Sequence, residues 1–228
     1  MPGSMPLVLL SGMGIDERLY AAQQAVLPNL IAVEWIDPLP RESLPAYARR
    51  LAATIDPGTA CLVGGCSFGG MVAAEMCRHL HARACLLISS IRSPDELPCY
   101  FRVLTHCALL ATQPLRLVPL TSRTTLPITR HVLPRRLVPA VEQLASHPGS
   151  FLQWASWAIL TWQPSAPPSV PVVAIHGTHD RILPFRNVHA DECVEGGGHL
   201  LPLTHPEEVS RFLHRQLERF DTSAGAVA

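Results

Sequence analysis

Three side chains suited to acyl-transfer chemistry lie far apart in this sequence: Ser67, Asp180 and His199. A serine hydroxyl is a poor nucleophile until a histidine takes its proton and a carboxylate fixes that imidazole. Ser67 is the centre of Gly65-Cys66-Ser67-Phe68-Gly69, a Gly-x-Ser-x-Gly pentapeptide. Such a pentapeptide forms a nucleophile elbow when a strand leads into it and a helix leaves it. Its glycines suit a turn that presses backbone on backbone and leaves no room for a Cβ. Asp180 lies in His176-Gly-Thr-His-Asp-Arg-Ile-Leu-Pro184, just after an apolar run, and His199 ends Gly196-Gly-Gly-His199. The chain order is therefore serine, aspartate, histidine.

Other residues compete for each role. Cys66 could act as a thiol nucleophile, but an elbow centred there would put Phe68 where the turn needs a small residue. Asp95 or Glu96 could supply the acid instead of Asp180. His205, beyond His199, reads as a capping or surface histidine at a helix start. His176 and His179 flank Asp180 in a manner that suggests a metal, yet no third ligand stands at suitable spacing. A structural His176, an exposed His179 and no metal are expected.

The elements that must position these groups follow from hydrophobic patterning. Leu7–Leu10 reads as a buried strand, with Ser11-Gly12-Met13-Gly14 as the turn leaving it. Asp16 caps a helix expected to run to about Leu27, stopped by Pro28. Strands are expected over Ile31–Ile36, Thr59–Gly65, Ala84–Ser89, Pro171–His176 and Asp191–Glu195. Helices are expected over Leu44–Ile55, Phe68–His81, Ser150–Trp162 and Glu207–Phe220. Strands alternating with helices, several as continuous apolar runs, imply an α/β fold: a mostly parallel sheet covered by helices on both faces. Residues 91–165 break that rhythm and show no clear strand. They are expected to form a helical lid inserted into a core made of 1–90 and 166–228.

Composition narrows the function. At 228 residues the chain fits one domain, or one core domain with an insertion. Acidic and basic residues balance at 18 each, so overall charge favours no nucleic-acid partner. All the basic residues are arginine, and the absence of lysine removes Walker-type phosphate binding and Schiff-base chemistry. The seven cysteines show no zinc spacing, and Cys61, Cys66, Cys77 and Cys85 fall in or beside expected buried elements. No uncharged apolar run reaches the ~18 residues a membrane span needs, and the first residues lack the basic start of a signal peptide. A reduced, cytoplasmic protein is the expectation.

The elbow, the His-Gly-x-x-Asp-x-x-x-Pro segment and the Gly-Gly-His loop before Pro206-Glu-Glu208 closely resemble the α/β-hydrolase family. The resemblance covers about 1–90 and 166–220. It implies Ser67 as nucleophile, His199 as general base and Asp180 as its orienting acid. It also implies an oxyanion hole made by the backbone N–H groups of Phe68 and Met13, although Ser11-Gly12 stands where many relatives have His-Gly. No cofactor is implied.

The expected activity is serine hydrolysis of a carboxylic ester or thioester through an acyl-enzyme. The same fold also supports lyase, acyltransferase or C–C cleavage chemistry, or a ligand-binding protein with negligible turnover. Trp154 and Trp157, on the last helix of the inserted segment, are candidate walls of a substrate pocket over Ser67. Residues 91–165 hold seven arginines against Asp95, Glu96 and Glu142, an excess suited to an anionic or carrier-bound substrate.

Overall fold

Four consecutive apolar residues, Leu7–Leu10, form β1, and all four are buried. The computed structural model describes residues 5–99, 101, 112–121, 134–164, 166 and 168–221. After β1 come α1 (Ala21–Gln24), β2 (Leu30–Val33), α2 (Leu44–Ile55), β3 (Cys61–Cys66), α3 (Phe68–Met76) and β4 (Ala82–Ile88). The segment after β4 includes α4 (Val138–Ser146) and α5 (Gly149–Leu160). The chain then returns to the sheet with β5 (Val172–Gly177) and β6 (Glu192–Val194), followed by α6 (Leu201–Thr204) and α7 (Pro206–Asp221).

The six strands run parallel in the order β2-β1-β3-β4-β5-β6. Side chains alternate between the two faces, as strand geometry requires. Val8, Leu10, Val63 and Leu87 pack with α2, α3 and α5 on one side. Leu7, Leu9, Leu62 and Leu86 pack with Val209, Phe212 and Leu213 of α7 on the other. Both faces of the sheet are thus covered, which is why its strands read as unbroken apolar runs. Chain connections leave β1 in one direction and β3 in the other. In such a sheet the crevice at the carboxyl ends of those two strands is where ligands bind. Gly12 and Met13 follow β1 there, and Ser67 follows β3.

Local signals explain the well-placed helices. Ser43 caps α2 by accepting from the Ala46 N–H at 3.4 Å, and Leu44, Tyr47, Ala48, Leu51 and Ala52 form its buried stripe. Pro206 opens α7, with Glu207 and Glu208 in its positive first turn.

Other elements differ from expectation. The helix expected from Asp16 becomes a 3₁₀ turn over Glu17–Tyr20 followed by the short α1. Here side chains reach fixed partners: Tyr20 Oη donates to Leu10 O at 2.8 Å, and Gln23 Nε2 donates to the Pro202 and Pro206 carbonyls. The strand expected to reach Ile36 stops at Val33, because β1 offers only four residues to pair with. Trp35 instead turns its indole N–H to Ile15 O at 3.1 Å. The elbow helix stops at Met76, five residues short of His81. Helix α5 is not an outlying layer: Phe151, Leu152, Trp154, Ala155 and Ala158 share one buried cluster with Val8, Leu10 and Phe68.

Candidate active site

Ser67 sits between β3 and α3 with φ 55° and ψ −122°, a conformation that side chains other than hydrogen rarely adopt. The surroundings hold it there. Ser67 N–H donates to Ile88 O at 3.0 Å, and its carbonyl accepts from Gly70 N at 3.0 Å and Ser90 Oγ at 2.6 Å. A Cβ at Gly65 would lie 2.5 Å from the Gly69 carbonyl carbon, and one at Gly69 would overlap the Ser11 and Leu10 carbonyl oxygens. Both glycines of the pentapeptide are therefore required by backbone packing. Backbone strain of this kind is of order 1–3 kcal/mol and persists only where neighbours over-determine it.

The structure brings Ser67, His199 and Asp180 together. Ser67 Oγ lies 2.8 Å from His199 Nε2, and His199 Nδ1 lies 2.7 Å from Asp180 Oδ2. A carboxylate only accepts, so Nδ1 carries the proton and Nε2 offers its lone pair to the serine hydroxyl. Asp180 Oδ1 accepts from the Ile182 and Leu183 N–H groups at 2.8 and 2.9 Å. Burial alone would raise the Asp180 pKa. The His176 and His199 rings and the Leu183 N–H outweigh it and hold the carboxyl well below the usual range.

None of the competing residues takes a place in the relay itself. Cys66 points into the cluster on the opposite face of the sheet, and burial pushes its thiol pKa well up, which disfavours a thiolate. Asp95 is exposed. The Glu96 carboxylate is engaged by Arg92 N and by His189 N and Nδ1, at 2.8 to 3.0 Å, and so braces two loops. His205 lies at the start of α7, where its carbonyl accepts from Val209 N. His179 is exposed and His176 buried. Among the described residues, no group of three or more His, Cys, Asp or Glu side chains is placed to hold a metal. The six described cysteines are free thiols, of which Cys99 and Cys193 are exposed.

Ser67 opens into a cavity of about 350 Å³. Its walls are Met13, Phe68 and Met71 from the core, Leu97, Phe101, Thr112, Leu115, Ser156, Ile159 and Leu160 from the segment between β4 and β5, and Ile182 and Leu183 beside Asp180. Phe68 is the first residue of α3, so its N–H has no partner within the helix. Gly12 runs close behind Ser67, where a Cβ would lie 3.8 Å from the Ser67 Cβ. Met13 lines the same cavity, its sulfur accepting from Ser156 Oγ at 3.3 Å.

The two tryptophans expected above Ser67 belong to a different cavity. Trp154 and Trp157 line a space of about 570 Å³ with Asp37–Arg41, Ser150 and Gln153. Positions 150, 153, 154 and 157 form one face of α5, whereas 156, 159 and 160 form the face turned to Ser67. Trp154 is fixed there by its indole N–H on Glu42 O at 2.8 Å and by Tyr47, 4.4 Å away between ring centroids. Of the seven arginines in 91–165, Arg102, Arg123 and Arg130 lie outside the described residues, and Arg92 pairs with Asp191. No described helix is long and apolar enough to cross a membrane.

Comparison with known proteins bears on this arrangement. No curated protein matches by sequence. Among solved structures, the chain is similar to a thermophilic esterase from Thermogutta terrifontis, with TM-score 0.70 and 19% identity over 95% of this chain and 90% of that one. It is similar to MenH from S. aureus, with TM-score 0.74 and 15% identity over 97% and 96%. An enol-lactonase from Burkholderia xenovorans aligns with TM-score 0.69 and 15% identity over 95% and 92%. At such identities these likenesses speak to the fold. The sequence model of the alpha/beta hydrolase family matches residues 7–212. The chain belongs to the alpha/beta hydrolase family.

Proposed function

We propose that the protein is a serine hydrolase that cleaves a carboxylic ester or thioester with an apolar acyl group through an acyl-enzyme on Ser67. The observation that carries this reading is the unbroken relay from Ser67 Oγ through His199 to Asp180, at the wall of an apolar cavity. His199 Nε2 takes the hydroxyl proton as Oγ attacks the carbonyl carbon. The oxyanion faces the N–H groups of Phe68 and Met13, each such donor being worth about 10²–10³ in rate. The imidazolium, held against Asp180, then protonates the departing oxygen or sulfur. Water enters, gives its proton to the same nitrogen and attacks the acyl carbon, releasing the acid and restoring Ser67.

The cavity supports an uncharged acyl group. At about 30 Å³ per water-sized group, 350 Å³ holds roughly twelve non-hydrogen atoms. In this reading the described part of the segment between β4 and β5 acts as a cover, since Phe101, Leu115, Ile159 and Leu160 complete the cavity wall.

The test is a panel of p-nitrophenyl esters and acyl thioesters in ¹⁸O water, run with wild type and Ser67→Ala. Hydrolysis places one solvent oxygen in the released acid, and Ser67→Ala removes turnover while the fold survives. Retention of more than a few per cent of the rate by Ser67→Ala would reject Ser67 as nucleophile. Turnover without ¹⁸O in the product would reassign the reaction to acyl transfer or elimination.

A further inference from the structure

We infer that His176 is a positioning residue for Asp180, fixing the carboxylate that orients His199. The inference rests on the acyl-enzyme reading for its purpose, but its geometry stands apart from that reading. His176 is the fifth residue of β5, with 1% of its surface exposed. Its Nε2 lies 2.7 Å from Leu183 O. A carbonyl only accepts, so Nε2 carries a proton. That nitrogen also lies 3.1 Å from Asp180 Oδ2, the oxygen that accepts from His199 Nδ1.

An ionised carboxylate has about four lone-pair sites, and here three hydrogen-bond donors meet it, with the His176 ring nitrogen close beside Oδ2. Ile182 and Leu183 N–H groups hold Oδ1, while His199 Nδ1 and His176 Nε2 approach Oδ2. The Leu183 peptide closes the arrangement: its N–H donates to Asp180 and its carbonyl accepts from His176. One histidine therefore ties the end of β5 to both the carboxylate and the loop that carries it. That loop also supplies Ile182 and Leu183 to the cavity wall. Without His176 the Leu183 carbonyl loses its donor and Oδ2 loses the ring packed beside it, so the loop that anchors the carboxylate is free to shift. The imidazole of His199 would lose the fixed direction that aims Nε2 at Ser67.

A double-mutant cycle with Asp180→Asn tests this. The readout is the second-order rate of Ser67 labelling by a fluorophosphonate, which reports nucleophile activation whether or not an ester is turned over. His176→Phe should slow labelling about ten- to a hundredfold, the scale of a misplaced catalytic group, and less than about twofold in the Asp180→Asn background. His176→Gln, which keeps an N–H donor, should stay within about threefold of wild type. Far-UV spectra and thermal midpoints verify folding, and His176→Met takes the place of a Phe variant that does not fold. Equal losses in both backgrounds, or a Gln variant as slow as Phe, would overturn the inference. Fast labelling of wild type with no ester or thioester turnover would instead count against the hydrolytic reading and leave the cycle readable.

Discussion

Replacing Asp180 with asparagine changes one atom, and the surrounding hydrogen bonds fix where that atom goes. The Ile182 and Leu183 N–H groups, 2.8 and 2.9 Å from Oδ1, require an acceptor, so the amide oxygen takes that place. The amide NH₂ then occupies the Oδ2 position, 2.7 Å from His199 Nδ1. Two donors would face each other unless His199 moves its proton to Nε2. That tautomer satisfies the asparagine but points an N–H at Ser67 Oγ, 2.8 Å away, where a lone pair is needed. The serine loses its base with little movement of any heavy atom. The expected loss is about 10⁴ in kcat, or about 5 kcal/mol of transition-state stabilisation, with KM changed far less. Initial rates on a p-nitrophenyl ester that wild type hydrolyses, taken to saturation, measure both constants, and a thermal midpoint confirms the fold. A variant retaining a tenth of the wild-type kcat would refute the tautomer argument and the assignment of Asp180 with it.

Three further outcomes are expected. Asp180 is held well below its unfolded pKa of about 3.9, so its contribution to stability is present above that value and is lost as pH falls towards the folded one. Urea midpoints between pH 6 and 3 should therefore fall more steeply for wild type than for Asp180→Asn, and parallel slopes would contradict the shift. Ser67→Gly should be more stable than Ser67→Ala by about 1 kcal/mol, because glycine accepts φ 55° without strain and alanine does not; chemical denaturation compares them. Ile159→Trp, filling the Ser67 cavity, should shift the preferred acyl chain from about six to ten carbons towards two to four, whereas Trp157→Ala, in the other cavity, should leave chain preference unchanged. An ester series of graded length distinguishes the two variants.

The elbow and the strand–helix alternation were legible because they are local. Gly65 and Gly69 are demanded by carbonyl groups within the turn and at the end of the neighbouring β1. Helix α2 announces itself through Ser43 and an apolar stripe of helical period. The segment after Asp16 was not legible in the same way. Its shape is set by Tyr20 reaching Leu10 O and by Gln23 reaching carbonyls near residue 204, contacts that no window of neighbouring residues contains.

The same distinction separates the legible parts of the site from the rest. Ser67, Asp180 and His199 each sit on a turn whose backbone constrains its sequence, so residue type and spacing carry the information. The rotation of α5 is constrained by whichever surfaces arrive on its two sides. Phe151, Leu152, Trp154, Ala155, Ala158, Ile159 and Leu160 are all buried, so the helix is apolar nearly all round and its pattern names no single inner face. The Glu42 carbonyl, delivered from the loop before α2, and the Tyr47 ring fix Trp154 on one side and leave Ile159 and Leu160 to Ser67. His176 follows the same logic. As the fifth residue of a buried strand it reads as structural, and it gains its contact with Asp180 only because residues 177–183 fold back over it. Substrate preference in this chain should therefore respond most to residues such as Ile159 and Leu183, which no motif marks, while the chemistry responds to those that a motif does.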